Sequence, residues 1–258
     1  MLLLAISAVP AAAMMTEAER AQRWQDLDHA LFGDRVVKDG SAMLRIEAAD
    51  RAENAALVPV VLHLADPLAQ QVQALYFVID DNPSPLAAVF RFGPLADRHD
   101  VATRVRVDDY TNLHAIAETS DGSLYVAERF IKAAGGCSAP AGNDPALAAA
   151  RLGKMRLAVL PQSGPATAVS LLISHPNSSG LQMDQVTRNY IPADFIQKVH
   201  VSFDGVAVLD IDGDIALSED PNFRFALLPK APGEITVEVD DSSQRHFSQS
   251  WPLPTPAE

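Results

Sequence analysis

The chain is poor in the residues that most often carry chemistry. Among its 258 residues there is one cysteine, Cys137. A single thiol excludes an intramolecular disulfide and a cysteine-rich zinc site. Aromatic residues make up only 6%, so the core must be built from Val, Leu, Ile and Ala. Basic residues are scarce: 20 Lys and Arg stand against 33 Asp and Glu, a formal charge of −13. So acidic a chain repels phosphate backbones, which argues against nucleic acid as a partner. No apolar run is long enough to span a bilayer. A Gly-rich phosphate loop, a G-x-S-x-G elbow and an H-x-x-x-H pair are all missing.

What is present is a folding chain rich in turns. Hydrophobic residues reach 48%, too many for a disordered polymer. The 18 Pro and 13 Gly favour many turns over long helical bundles. The first residues, Met1-Leu-Leu-Leu-Ala-Ile-Ser-Ala-Val-Pro-Ala-Ala-Ala13, are apolar and end in an A-x-A pattern at Ala11 and Ala13. They lack a positive n-region, but the pattern is that of a secretory signal peptide over 1–13, and export is expected.

Hydrophobic periodicity then divides the chain. Residues 16–32 place Trp24, Leu27, Leu31 and Phe32 at helical spacing, with Gly33 as the stop. Short, β-branched, partly alternating runs follow at 43–46, 57–64, 72–79, 87–92, 101–107, 112–118 and 124–131. These are the strands of a first β-sandwich over 14–133. Residues 134–152 contain small residues and two prolines and read as a surface arm or linker, with helical turns over 146–152. A second series, at 155–160, 168–173, 195–203, 206–211, 222–228, 234–239 and 245–251, predicts a second sandwich over 153–258. Within it, Phe203-Asp-Gly-Val206 predicts a type I′ hairpin. The fold class is therefore all-β, two sandwiches joined by a Gly/Ala-rich, Cys-bearing linker, with a short N-terminal helix.

The arm carries the one chemically loaded residue. Cys137 lies in Ala133-Ala-Gly-Gly-Cys-Ser-Ala-Pro-Ala-Gly142 and lacks the apolar neighbours of a buried structural cysteine. It is expected to be exposed, with Gly135 and Gly136 making the arm slender and flexible. Such an arm reaches up to roughly 40 Å when extended. An exposed thiol would also allow a dimer linked through Cys137. Lys132 is the only cation nearby in sequence and no histidine lies in the arm, so nothing local activates the thiol. This favours a substrate carrier, modified by partner enzymes, over a self-contained enzyme. The competing reading is a Gly/Ala linker in which Cys137 is incidental.

Taken in order, several motifs resemble the SoxY and SoxZ subunits of the sulfur-oxidation carrier, fused in one chain. The SoxY-like half carries Asn82-Pro-Ser-Pro85, Ala88-Val-Phe-Arg-Phe92, Thr103-Arg-Val-Arg-Val107, Ala117, Ser120-Asp-Gly-Ser123 and Gly135-Gly-Cys137. The SoxZ-like half carries Ile173-Ser-His-Pro176, Gly180-Leu181 and Ile191-Pro-Ala-Asp-Phe-Ile196. The resemblance implies immunoglobulin-like sandwiches, a periplasmic location, no cofactor, and a thiosulfonate or persulfide held on Cys137. It implies sulfur-oxidation enzymes as partners; similar fused carriers are associated with quinoprotein dehydrogenase and cytochrome systems. One difference stands out. The family's arm is a free C-terminal tail with glycines on both sides of the cysteine, whereas here Ser138 and Ala139 follow and the chain continues.

Other constellations carry less. Asp210-Ile-Asp-Gly-Asp214 gathers carboxylates, but its glycine and Glu219 do not fit a calcium loop, so a solvated turn is the favoured reading. His175 is expected to pack or hydrogen-bond rather than ligate metal. His63, His99, His114, His200 and His246 are scattered, and Arg104 and Arg106 are expected to face solvent. Asn177-Ser-Ser179 fits a glycosylation pattern too short to carry weight.

Overall fold

The computed structural model describes residues 15–140, 142, 144–161 and 164–254. The expected signal peptide lies outside the described residues. The first helix is bounded by local capping chemistry. Thr16 caps α1 (Glu17–Phe32), its hydroxyl accepting the Glu19 N–H while the Glu19 carboxylate takes the Thr16 N–H. Gly33, at φ 64°, ends the helix. Trp24, Leu27, Leu31 and Phe32 lie on one face and pack on the outside of a sheet against Val78, Ile116 and Leu124.

The first half supplies β1 (Val37–Asp39), β2 (Leu44–Glu47), β3 (Val58–Leu64), β4 (Val72–Ile79), β5 (Leu86–Phe92), β6 (Ala96–Val105), β7 (Thr111–Thr119) and β8 (Leu124–Ile131). A one-turn helix, α2 (Leu68–Gln71), joins β3 to β4. The second half opens with α3 (Pro145–Arg151), capped by Asp144. Then come β9 (Met155–Leu160), β10 (Thr167–Ile173), β11 (Ile196–Phe203), β12 (Val206–Gly213), β13 (Asn222–Leu227), β14 (Gly233–Asp241) and β15 (His246–Leu253). Alternation sets the faces: in β3, Val58, Val60, Leu62 and Leu64 point inward between more exposed neighbours. The β11–β12 turn has Asp204 at φ 48° and Gly205 at φ 77°, the paired left-handed residues of the expected type I′ hairpin.

Each half is a β-sandwich, and the two are joined edge to edge, so both sheets run through the molecule. One sheet has the order β1-β8-β7-β4-β5-β12-β11-β14-β15 and the other β2-β3-β6-β13-β10-β9. The joints are the antiparallel pairs β5–β12, with Phe92 opposite Leu209, and β6–β13, with Ala102 opposite Arg224. A single apolar core fills both halves, and Phe90 of β5 meets Phe223 of β13 edge to face at 6.5 Å. Strand edges that would invite aggregation in either sandwich alone are satisfied by the other.

The structure corrects three sequence-based expectations. The acidic run at 210–214 is not a turn: Asp210 and Asp212 sit within β12, where Asp212 pairs with Arg91 across the joint and Asp210 with His200 of β11. Arg106 does not face solvent. It follows the end of β6 on the face that the second half covers and is buried, while Arg104 is half-buried and donates to the Asp220 carbonyl. Third, Gly135, Gly136 and Cys137 are not a free thread: all three are docked by hydrogen bonds, and while Gly135 is exposed, Gly136 and Cys137 are buried.

Candidate functional site

The site forms where the chain after β6 meets the arm after β8. Residues 106–108 run on as an irregular rail. Arg106 N–H donates to Ala216 O at 2.7 Å and Val107 N–H to Ala55 O at 2.8 Å. Asn82, buried, clamps that rail from the side. Its Nδ2 donates to Arg106 O at 2.8 Å and its Oδ1 accepts Asp108 N–H at 2.9 Å. The arm docks on the rail through backbone bonds, Gly135 N–H to Asp108 O at 2.7 Å and Gly136 N–H to Val107 O at 3.0 Å. Cys137 N–H then donates to Asp108 Oδ1 at 3.1 Å.

The second half closes over the arm from the other side. Ser179 Oγ donates to Cys137 O at 2.5 Å, and Gln182 Nε2 donates to Ala139 O at 2.9 Å. Arg106 reaches across as well, its Nη1 to Gly136 O at 3.3 Å and its Nη2 to Asn177 O at 3.4 Å. Asn177 is itself fixed, donating to Leu217 O and accepting from Ile196 N–H. A groove of about 470 Å³ opens beside this contact, lined by Ala148, Leu152, Pro176, Ser178, Glu219 and Arg245 among others.

Cys137 is therefore sealed, at 0% exposure. Sequence reasoning took the small residues around it for looseness. Here they serve close packing: a β-carbon on Gly136 would collide with the Ala55 and Val107 carbonyls. Small residues are what both a flexible thread and a tight backbone approach require, so composition alone does not separate the two. Burial also sets the thiol's chemistry. It pushes the Cys137 pKa up to about 12, the Asp108 carboxylate adding to the rise and the Arg106 guanidinium opposing it. At neutral pH the docked residue is a protonated thiol with almost no nucleophilic thiolate. A second copy of the chain has no access to the sulfur in this conformation.

The other sequence candidates do not converge here. His63, His99, His114, His200 and His246 each face an aspartate of their own, and His114 also stacks on Trp24 at 3.8 Å. His175 is buried and hydrogen-bonded, as expected. With Asp194 and Asp241 it forms the one cluster among the described residues spaced to hold a metal ion. Both carboxylates already bind Arg245, at 2.5 Å each, so a guanidinium stands where a cation would have to neutralise them. Sequence reasoning gave no role in the site to Asn82, which clamps the rail, or to Asp108, Ser179 and Gln182, which hold the arm. Asn82 stands within the Asn82-Pro-Ser-Pro85 motif, Asp108 follows Thr103-Arg-Val-Arg-Val107, and Ser179 and Gln182 flank Gly180-Leu181.

Comparison with known proteins agrees with this two-part construction. The family model described as sulfur oxidation protein SoxY matches residues 28–137, ending at the buried cysteine, and that for sulphur oxidation protein SoxZ matches residues 155–252. A search of curated proteins finds no match. Among solved structures the chain resembles the sulfur carrier protein SoxY from Chlorobium limicola f thiosulfatophilum. The identity is 29%, over 45% of this chain and 96% of that one, with a TM-score of 0.39. With a SoxY domain followed by a SoxZ domain in one polypeptide, the chain is a fused SoxY–SoxZ-like protein.

Proposed function

We propose that this protein is a sulfur-oxidation carrier that holds an inorganic sulfur species covalently on Cys137 and presents it to partner enzymes in the periplasm. The observation that carries the reading is the tandem SoxY and SoxZ match, with the SoxY match ending at the chain's single cysteine. The docked arm then represents the closed state of the carrier, and loading requires it to lift. Each hydrogen bond holding it contributes about 0.5–1.5 kcal/mol net. Each released residue regains about 1–2 kcal/mol of backbone entropy. Opening this segment therefore costs far less than unfolding the sandwich. In the closed state the protonated, sealed thiol resists stray oxidation, a hazard for a lone cysteine in an oxidising compartment.

Loading chemistry defines the partner. Coupling the Cys137 thiol to thiosulfate forms one S–S bond and releases the thiol proton and two electrons. A single cysteine leaves no second thiol to take those electrons, so they pass to a redox partner such as a cytochrome. A net charge of −13 suits docking on a basic partner surface. The test is intact-mass analysis of the protein isolated from its native host. A reducible sulfur adduct confined to Cys137, lost in Cys137→Ser together with sulfur-oxidising activity, supports the carrier. A free thiol under all sulfur-oxidising conditions, with activity retained by Cys137→Ser, rejects it and leaves an accessory role beside a quinoprotein dehydrogenase.

A further inference from the structure

Arg106 is a charged side chain buried within the core. It is 1% exposed, the largest fully buried side chain among the described residues. A guanidinium offers five N–H donors and is always charged. Here its two bonds to the Gly136 and Asn177 carbonyls are long, and its Nε has no hydrogen-bond partner. Glu219 and Cys137 are the acidic groups whose charge bears on it. Glu219 also accepts the Gly142 N–H at 2.7 Å. Its own hydrogen bonds are long and go to neutral carbonyls, and the nearby Glu219 carboxylate is shared with the Gly142 N–H, so the buried charge is only partly compensated. The resting arm leaves the Arg106 Nε without a hydrogen-bond partner.

Arg106 grips the carbonyl of the residue immediately before the cysteine. While the thiol is free and protonated, the guanidinium gains nothing from it. An adduct ending in a sulfonate, or another terminal sulfur anion, would place a full negative charge on that side chain. We propose that Arg106 is the built-in counter-charge for an anionic adduct on Cys137. It holds the loaded arm shut more firmly than the empty one and discriminates against neutral adducts. The idea rests on the carrier reading and specifies the class of cargo. A buried guanidinium–oxyanion contact is stronger than a neutral hydrogen bond, and little screened by salt.

Two synthetic adducts test it. Full-length protein is treated with a methanethiosulfonate reagent carrying either a 2-sulfonatoethyl or a 2-hydroxyethyl group. Each reaction forms a disulfide at Cys137, releases methanesulfinate and sends the thiol proton to solvent. Removal by dithiothreitol is then timed by mass spectrometry, with urea-unfolded protein as the reference for intrinsic reactivity. Relative to that reference, the sulfonate adduct should be released about tenfold more slowly than the hydroxyl adduct in the wild type. Arg106→Gln should abolish the difference and Arg106→Lys should keep part of it. Equal normalised rates in the wild type overturn the proposal, as does an undiminished difference in Arg106→Gln. If the glutamine variant does not fold, the wild-type comparison decides alone. Because the probes are synthetic, this outcome is independent of whether a native sulfur adduct is found on Cys137.

Discussion

A β-carbon at Gly136 would lie 2.1 Å from Ala55 O and 2.5 Å from Val107 O, whereas at Gly135 it would meet nothing closer than 3.9 Å. The two glycines thus act differently: Gly135 supplies a left-handed turn at φ 73°, and Gly136 allows backbone to press on backbone. Gly136→Ala should loosen the docked arm by about 1–3 kcal/mol, the usual scale of overpacking. Iodoacetamide should then label Cys137 roughly tenfold faster at neutral pH, since each 1.4 kcal/mol is a factor of ten. In the closed state the thiol keeps its proton up to about 12, while in the open or unfolded chain it loses it near 9.0. Between those values the open form binds fewer protons, so closure is fully stable below about 9 and weakens as pH rises towards 12. Wild-type labelling should therefore go on accelerating across that window, whereas Gly136→Ala, being more open to begin with, should level off at a lower pH than the wild type. Equal labelling rates at pH 7 would show that Gly136 does not hold the arm.

At the scale of elements, local signals act where they are complete within a few residues. The box formed by Thr16 and Glu19 starts α1 and Gly33 stops it, so that helix was readable to within a residue. Removing the cap by Thr16→Ala should cost about 1 kcal/mol and speed amide exchange in the first turn. Cys137 labelling should stay unchanged, because α1 packs on the outer face of the long sheet. A change at Cys137 would reveal a coupling that runs from Arg23, which donates to Asp80 O, to the Asn82 clamp two residues on. By contrast, β1 and α2 are too short for any period to register. β1 exists because Val37, Lys38 and Asp39 line up in parallel beside Leu124, Tyr125 and Val126, a partnership made more than eighty residues away. The arm belongs with them: its hydrogen bonds go to Asp108, Val107, Ser179 and Gln182, none of them its neighbours in sequence.

Across the whole molecule the covalent connection matters less than the sheets. β5–β12 and β6–β13 pairing, a shared core and the Phe90–Phe223 contact hold the halves together without it. Residues 15–140 and 144–254 expressed as two chains should co-purify in equal amounts and close over Cys137 as the intact chain does. Expressed singly, each should aggregate, because it exposes two unpaired strand edges and half a core. Two well-behaved soluble monomers that fail to associate would contradict this reading of the joint. The arrangement also explains why the cysteine site needs both halves: the rail comes from the first and the closing serine and glutamine from the second.

Most strand positions, the helix with both its ends, the hairpin at 203–206 and the pairing of SoxY-like with SoxZ-like character were legible in the linear chain. Each depends on a local period, a capping chemistry or an ordered set of motifs, and those survive without knowledge of distant partners. What only tertiary structure decided is the burial of Cys137 and Arg106. Alternation states that two residues share a face, but not what comes to cover it. Here the cover is the other half of the protein, brought over the arm by strand pairing between residues more than a hundred positions apart.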